Sequence, residues 1–201
     1  QGLYNMNYKF PPEMILSSGF FYENTSEFYK FYRDKLNCLN VEPNVIHKYM
    51  VKLEKMGKLK AIVTQNIDGL HTKAGSTNVY ELHGTIYKNH CIKCNKFYDA
   101  KYVFSSKDIP LCECGGIVKP DVILYGEMLD EYVLNRSIEA ISKCDTLIVA
   151  GTSLTVEPAS SLIRLFNGKN LVIINRDATS YDSIASLVIN DEFKNIFDKL
   201  K

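Results

Sequence analysis

Apolar residues recur at helical spacing in four stretches of the chain and run almost unbroken in three others. Phe28, Phe31, Tyr32 and Leu36 fall on one stripe, which predicts a helix over about 24–36. Asn24, with Glu27 three residues on, reads as its capped start. Ile46, Tyr49, Met50 and Leu53 predict a second helix after Pro43, with Gly57 as its stop. Leu134, Ile138 and Ile141 mark a third at about 130–143, and Phe193, Ile196, Phe197 and Leu200 a last one from Asp191. The unbroken runs lie at 59–64, 146–150 and 171–174; short apolar runs of this kind predict strands buried on both faces. Residues 1–23 are aromatic-rich and read as irregular, with Pro11-Pro12 set against a helix start. Residues 86–119 break both patterns and carry little core material.

Strands alternating with helices argue for an α/β fold with a parallel sheet covered on both sides. The residues just past each strand matter more. Thr64, Gln65, Asn66 and Asp68 end the first; Gly151, Thr152 and Ser153 the second; Asn175, Arg176 and Asp177 the third. Open parallel sheets bind ligands beyond the carboxyl ends of their strands, so these ends suggest a nucleotide site. Polar residues also end many strands that bind nothing.

Composition narrows the class. With 201 residues, 46% hydrophobic and 23% charged, the chain is one ordinary globular domain, or one with a small insert. A net charge of +1 gives no general pull toward nucleic acid or anionic membrane. No apolar run approaches the roughly 20 residues of a membrane span. No export signal is visible, so a cytoplasmic setting is expected.

Four of the six cysteines stand as Cys91-x2-Cys94 and Cys112-x-Cys114. Paired thiolates without His, Asp or Glu describe a closed structural Zn2+ site, and Gly115-Gly116 permits the tight turn beside the second pair. Free loop thiols are the plainer alternative. A zinc ribbon that binds nucleic acid is another, since 86–119 holds Lys88, Lys93, Lys96, Lys101 and Lys107 against Asp99, Asp108 and Glu113. Cys38 and Cys144 read as reduced core thiols. His83 in E-L-H-G is the candidate general base, because histidine titrates near neutrality; a lone histidine is more often structural.

T-Q-N-I-D-G-L-H at 64–71, E-L-H-G at 81–84 and the cysteine pairs, in this order, resemble the sirtuins, the NAD-dependent protein lysine deacylases. The resemblance implies a Rossmann-type sheet, a small zinc-ribbon insert and a small helical module. It divides the chain into a cofactor-loop and helical part at 1–40, an NAD-binding domain at 41–85 with 120–201, and a zinc insert at 86–119. It implies catalytic roles for His83 and Asn66. Gln65 and Asn66 would meet the nicotinamide ribose, and Ile67 and Asp68 the carboxamide. Gly151, Thr152, Ser153, Asn175, Arg176 and Phe193 would contact the rest of NAD, with Glu192-Phe193 covering the adenine. Ile123, Leu124, Tyr125, Gly126 and Glu127 would form the strand beside which an acylated peptide adds, with the loop 176–181 opposite.

Some sirtuins that prefer acidic acyl groups carry Tyr-x-x-Arg on the helix equivalent to 24–36. Here Tyr29 and Tyr32 align and Arg33 falls one position late, a rotation of about 100° on a helix, so acetyl is the expected acyl group. The implied partners are acylated-lysine proteins, with no specific nucleic acid, no membrane and a monomeric chain. Sirtuins also begin with a strand and a Gly-Ala-Gly phosphate loop, which would stand upstream of Gln1, roughly 40 residues by element length. Two other readings stay open from the residues: a non-catalytic NAD-binding or interaction protein, and the nucleic-acid zinc ribbon.

Overall fold

The computed structural model describes residues 8–192 and 195–196. Helices α1 (Pro12–Ile15), α2 (Ser18–Glu23), α3 (Thr25–Lys35) and α4 (Val45–Lys55) lead to strand β1 (Ile62–Thr64). Then come α5 (Leu70–Ala74), β2 (Val79–Glu81), β3 (Gly84–Cys91), β4 (Phe97–Asp99), α6 (Ala100–Ser105) and β5 (Val118–Val122). The chain continues through α7 (Glu131–Lys143), β6 (Thr146–Ala150), β7 (Asn170–Ile174) and β8 (Leu187–Ile189), with 3-10 turns at Ser160–Leu165 and Asp182–Ile184.

These elements form two compact units. The first takes the described part of 1–42, with 66–73 and 83–130; the second takes 43–65, 74–82 and the described part of 131–201.

In the first unit, β3 is the centre of an antiparallel sheet ordered β4-β3-β5. The proline pair does not keep 8–23 irregular: Pro12 occupies the first turn of α1, where its missing N–H costs nothing. Asn24 precedes α3, but its side chain makes no cap bond; Glu27 pairs with Lys30 instead. The expectation that 86–119 holds little core is also overturned. Ile86, Val103 and Val118 are fully buried and share one core with Phe21, Phe28, Tyr29, Phe31 and Tyr32. Cys91 and Cys112 belong to it too. The helical segment and the cysteine-bearing segment are thus one hydrophobic body.

The second unit holds parallel pairs. β1 pairs with β2, and β6, β7 and β8 form a three-stranded parallel sheet in that order. Burial on both faces holds for β7, where Leu171, Ile173 and Ile174 are enclosed. It does not hold for β6, which pairs with β7 alone among the described residues and leaves Ile148 53% exposed. β1 spans only Ile62–Thr64, shorter than its apolar run. Asn44 caps α4 by accepting from Ile46 N and His47 N at 2.9 and 3.2 Å, and His47 Nδ1 accepts from Asn44 N. This gives His47 a structural role that its sequence context hid. The last helix and Phe193 lie largely outside the described residues.

Candidate functional site

The chain enters the first unit at Asn66, directly after β1 and Gln65, and the next residues turn sharply. Asp68 Oδ1 accepts from Leu70 N at 3.0 Å and so starts α5. Gly69 has φ +62°, and a Cβ there would lie 2.7 Å from the Tyr87 ring. Asn66 is exposed, while Ile67 and Asp68 are half-buried. Asp68 therefore caps a helix as well as offering a carboxylate.

His83 sits on the turn between β2 and β3, half-buried. Its carbonyl accepts from Ile123 N at 3.0 Å. Gly84, with φ +72°, packs against the Asp121 carbonyl. Just beyond it β3 bulges: Gly84 pairs with Val122 but Asn89 already pairs with Pro120. Ile86, on the bulge, donates its N–H to Ile67 O at 3.1 Å. The fully buried Asn89 closes the bulge by donating to Ile86 O and Tyr98 O, both at 3.2 Å. One bulge thus lays the strand that begins at E-L-H-G beside the Asn66–Asp68 segment. His90, unremarkable in the sequence, meets Asp121 with Nδ1 2.8 Å from Oδ1; no sequence spacing signals this pair, because it crosses two strands.

The segment after β5 is held by bonds within its own unit. Tyr125 N donates to Leu16 O, and Ser18 N donates to Tyr125 O, both at 2.9 Å. Leu124 is buried, Tyr125 is exposed and Gly126 has φ +89°. Glu127 turns its carboxylate inward to Leu124 N and Lys119. Arg33 is occupied elsewhere: its guanidinium bonds Ser106 Oγ at 3.0 Å and Asp108 O at 2.7 Å. Tyr29 donates to Val118 O.

The four cysteine sulfurs lie within 4.8 Å of one another, with Cys91–Cys114 and Cys94–Cys112 each at 3.5 Å. Tetrahedral zinc with Zn–S of about 2.3 Å requires sulfur separations of about 3.8 Å, so the cluster fits the ion. Electrostatics agree. The neighbouring Tyr98 hydroxyl draws the Cys112 thiol down to about 6. The Lys96 amide favours the Cys94 thiolate, but the other three sulfurs outweigh it and push that thiol up to about 12. Four thiolates this close repel unless a cation joins them. At Gly116 a Cβ would meet Cys91 Sγ at 2.6 Å, so the glycine is needed for the sulfurs to converge.

In the second unit Gly151, Thr152, Ser153, Asn175, Arg176 and Glu192 line a cavity of about 340 Å³ beyond the carboxyl ends of β6 and β7. Gly151, with φ +63°, donates to Ile174 O at 3.1 Å, and Asn175 N donates to Ile189 O at 3.1 Å. The apolar spacing gave no sign of β8, yet that strand fixes Asn175. Gln65, half-buried, directly follows β1 in this same unit.

A parallel sheet with a ligand cavity at its strand ends, in one chain with a body carrying a four-cysteine cluster, defines the class; the sequence comparison gives the family. The chain belongs to the Sir2 family, whose model matches residues 1–158. An NAD-dependent protein deacetylase of Clostridium acetobutylicum is 53% identical over 201 residues, covering 98% of this chain and 82% of the relative. One of Clostridium perfringens is 54% identical over 203 residues, covering 99% and 83%. Among solved structures, Sir2 with a p53 peptide and NAD+ matches with a TM-score of 0.87 at 36% identity, covering 100% of this chain and 83% of that one. Sir2 bound to acetylated peptide matches at 0.86 and 36%, covering 92% and 81%.

Proposed function

We propose that this chain is an NAD-dependent protein lysine deacetylase, releasing nicotinamide and O-acetyl-ADP-ribose. The observation that carries it is the Ile86 N–H to Ile67 O bond, which joins the general-base strand to the nicotinamide segment. His83 would take the proton from a ribose hydroxyl of bound NAD; NAD would supply that hydroxyl as the acyl acceptor, with nicotinamide leaving the neighbouring ribose carbon and the lysine amine leaving the acyl group. Asn66 and Gln65 orient the ribose, and Ile67 and Asp68 hold the carboxamide. Gly151, Thr152, Ser153, Asn175 and Arg176 serve the rest of the nucleotide; small residues and a left-handed glycine suit close approach of a phosphate or ribose. Phe193 is proposed for the adenine by resemblance alone.

Cys91, Cys94, Cys112 and Cys114 hold one structural Zn2+. Its chemistry is mechanical: a closed thiolate site has no open position for substrate. The stretch 86–119 is read as the zinc-bearing insert, 1–40 as the cofactor-loop and helical part, and 41–85 with 120–201 as the NAD-binding domain. Acylated-lysine proteins are the partners, with Ile123–Gly126 lining the peptide. The similarity to Sir2 bound to acetylated peptide and the engaged Arg33 both favour a neutral acyl group. A monomer acting in the cytoplasm on protein rather than nucleic acid completes the proposal; no helix among the described residues is long and apolar enough to cross a membrane.

The test is nicotinamide release from NAD with an acetyl-lysine peptide. Release that requires the acetyl group supports the enzyme. NAD binding without release supports a non-catalytic NAD protein, and salt-steep DNA binding the zinc-ribbon reading.

A further inference from the structure

We propose that Lys119 and Glu127 are positioning residues for the peptide-binding segment, acting through the backbone of Leu124. The proposal rests on the deacetylase reading, under which 123–126 receive the acylated peptide.

Glu127 is the last residue of V-I-L-Y-G-E and reads at first as a substrate contact. Its side chain is only 22% exposed and is spent inside the loop. Oε2 accepts from Leu124 N at 2.9 Å, while Glu127 N donates back to Leu124 O at 2.9 Å. The two residues are clamped through both polar groups of Leu124. Lys119 completes the arrangement. Its ammonium lies 3.1 Å from the Glu127 carboxylate, with its side chain 16% exposed. It also lies 3.4 Å from Pro120 O and Val122 O, and over the Phe21 ring at 5.8 Å. A cation thus ties the end of β5 to the loop beyond it.

The geometry explains why this is a positioning device. β5 ends at Val122; beyond it Ile123 and Tyr125 keep backbone partners in His83, Leu16 and Ser18, while between them Leu124 N is met by a side chain instead. Gly126, at φ +89°, would let the loop relax. The carboxylate replaces the missing ladder partner of Leu124. Charge-assisted bonds in a half-buried setting are stronger than neutral ones. The same loop is tied to the general base, since Ile123 N donates to His83 O. A peptide that adds by backbone pairing needs that edge preformed, because ordering it on binding would cost affinity.

The experiment compares wild type with Glu127→Gln, Glu127→Ala, Lys119→Met and Lys119→Arg, in steady-state assays with an acetyl-lysine peptide and NAD. Expected is a rise in peptide KM of about tenfold in Glu127→Ala and Lys119→Met, the size of one lost charge-assisted bond. The kcat and NAD binding stay near wild type, and Lys119→Arg restores the peptide KM. Glu127→Gln keeps the volume and an acceptor for Leu124 N, so it folds if Glu127→Ala does not; an intermediate rise in KM is expected. A fall in kcat with peptide KM unchanged, or no change in any variant, overturns the proposal. If wild type itself releases no nicotinamide, the deacetylase reading fails and takes this one with it.

Discussion

Gly84 lies so close to Asp121 that a Cβ added there would sit 1.9 Å from the Asp121 carbonyl oxygen. The contact sets the turn that presents His83, and it explains the glycine in E-L-H-G. Gly84→Ala combines a left-handed backbone, about 1–2 kcal/mol for a side chain, with an overlap against main chain, about 1–3 kcal/mol. Urea unfolding should show a loss of roughly 2–5 kcal/mol, and any folded protein should turn over slowly. A variant of wild-type stability and activity would mean that this approach is not what shapes the turn.

His83→Ala should lower deacetylation by about 10²–10⁴-fold, the usual contribution of a general base. NAD binding, read by calorimetry, should persist. Undiminished turnover removes His83 from the chemistry.

Metal analysis should find one zinc per chain. Because Cys91 and Cys112 belong to the main core of their unit, Cys91→Ala should release the ion and loosen that core with it. Thiolate ligation contributes roughly 10 kcal/mol or more in small zinc peptides. Folded wild-type protein devoid of zinc is the contrary result.

Two neighbouring tyrosines should respond oppositely to loss of the hydroxyl. Tyr29 donates to Val118 O, so Tyr29→Phe should cost about 1 kcal/mol. The Tyr32 hydroxyl is buried without a hydrogen-bond partner among the described residues, so Tyr32→Phe should be neutral or stabilising. Burial raises both phenol pKa values well above the usual 10. Neither phenol's ionisation therefore weakens the fold below about pH 10, and stability is lost as pH climbs from there toward the folded-state value. Tyr32→Phe should widen the alkaline range in thermal melts; an unchanged profile would count against this assignment.

Acyl preference should favour acetyl over succinyl peptides. Arg33 is held by Ser106 and the Asp108 carbonyl, so Arg33→Met should lower stability by about 1–3 kcal/mol without changing the acetyl-to-succinyl ratio. A ratio that shifts on removing Arg33 would show that the guanidinium meets the acyl group.

The amino-acid sequence alone determined the elements with strong periodicity. α3, α4, α7, β6 and β7 follow from apolar spacing, because one buried face imposes a local repeat. The cysteine pairs were legible for the same kind of reason: ligand spacing is local chemistry. So were the polar residues at strand ends, of which Gly151–Ser153 and Asn175–Arg176 do share one cavity. Tertiary structure decided the rest, through contacts between residues far apart in the chain. The stretch 86–119 has no periodic stripe, yet Ile86, Val103 and Val118 fill a core whose other half is α3. β8 is three residues long, too short to stand out, and is fixed by pairing with β7. His90 needed Asp121, and Glu127 needed Leu124 and Lys119, before either side chain had a direction. A sequence lists which groups can bond; only the folded backbone sets the distances at which they do.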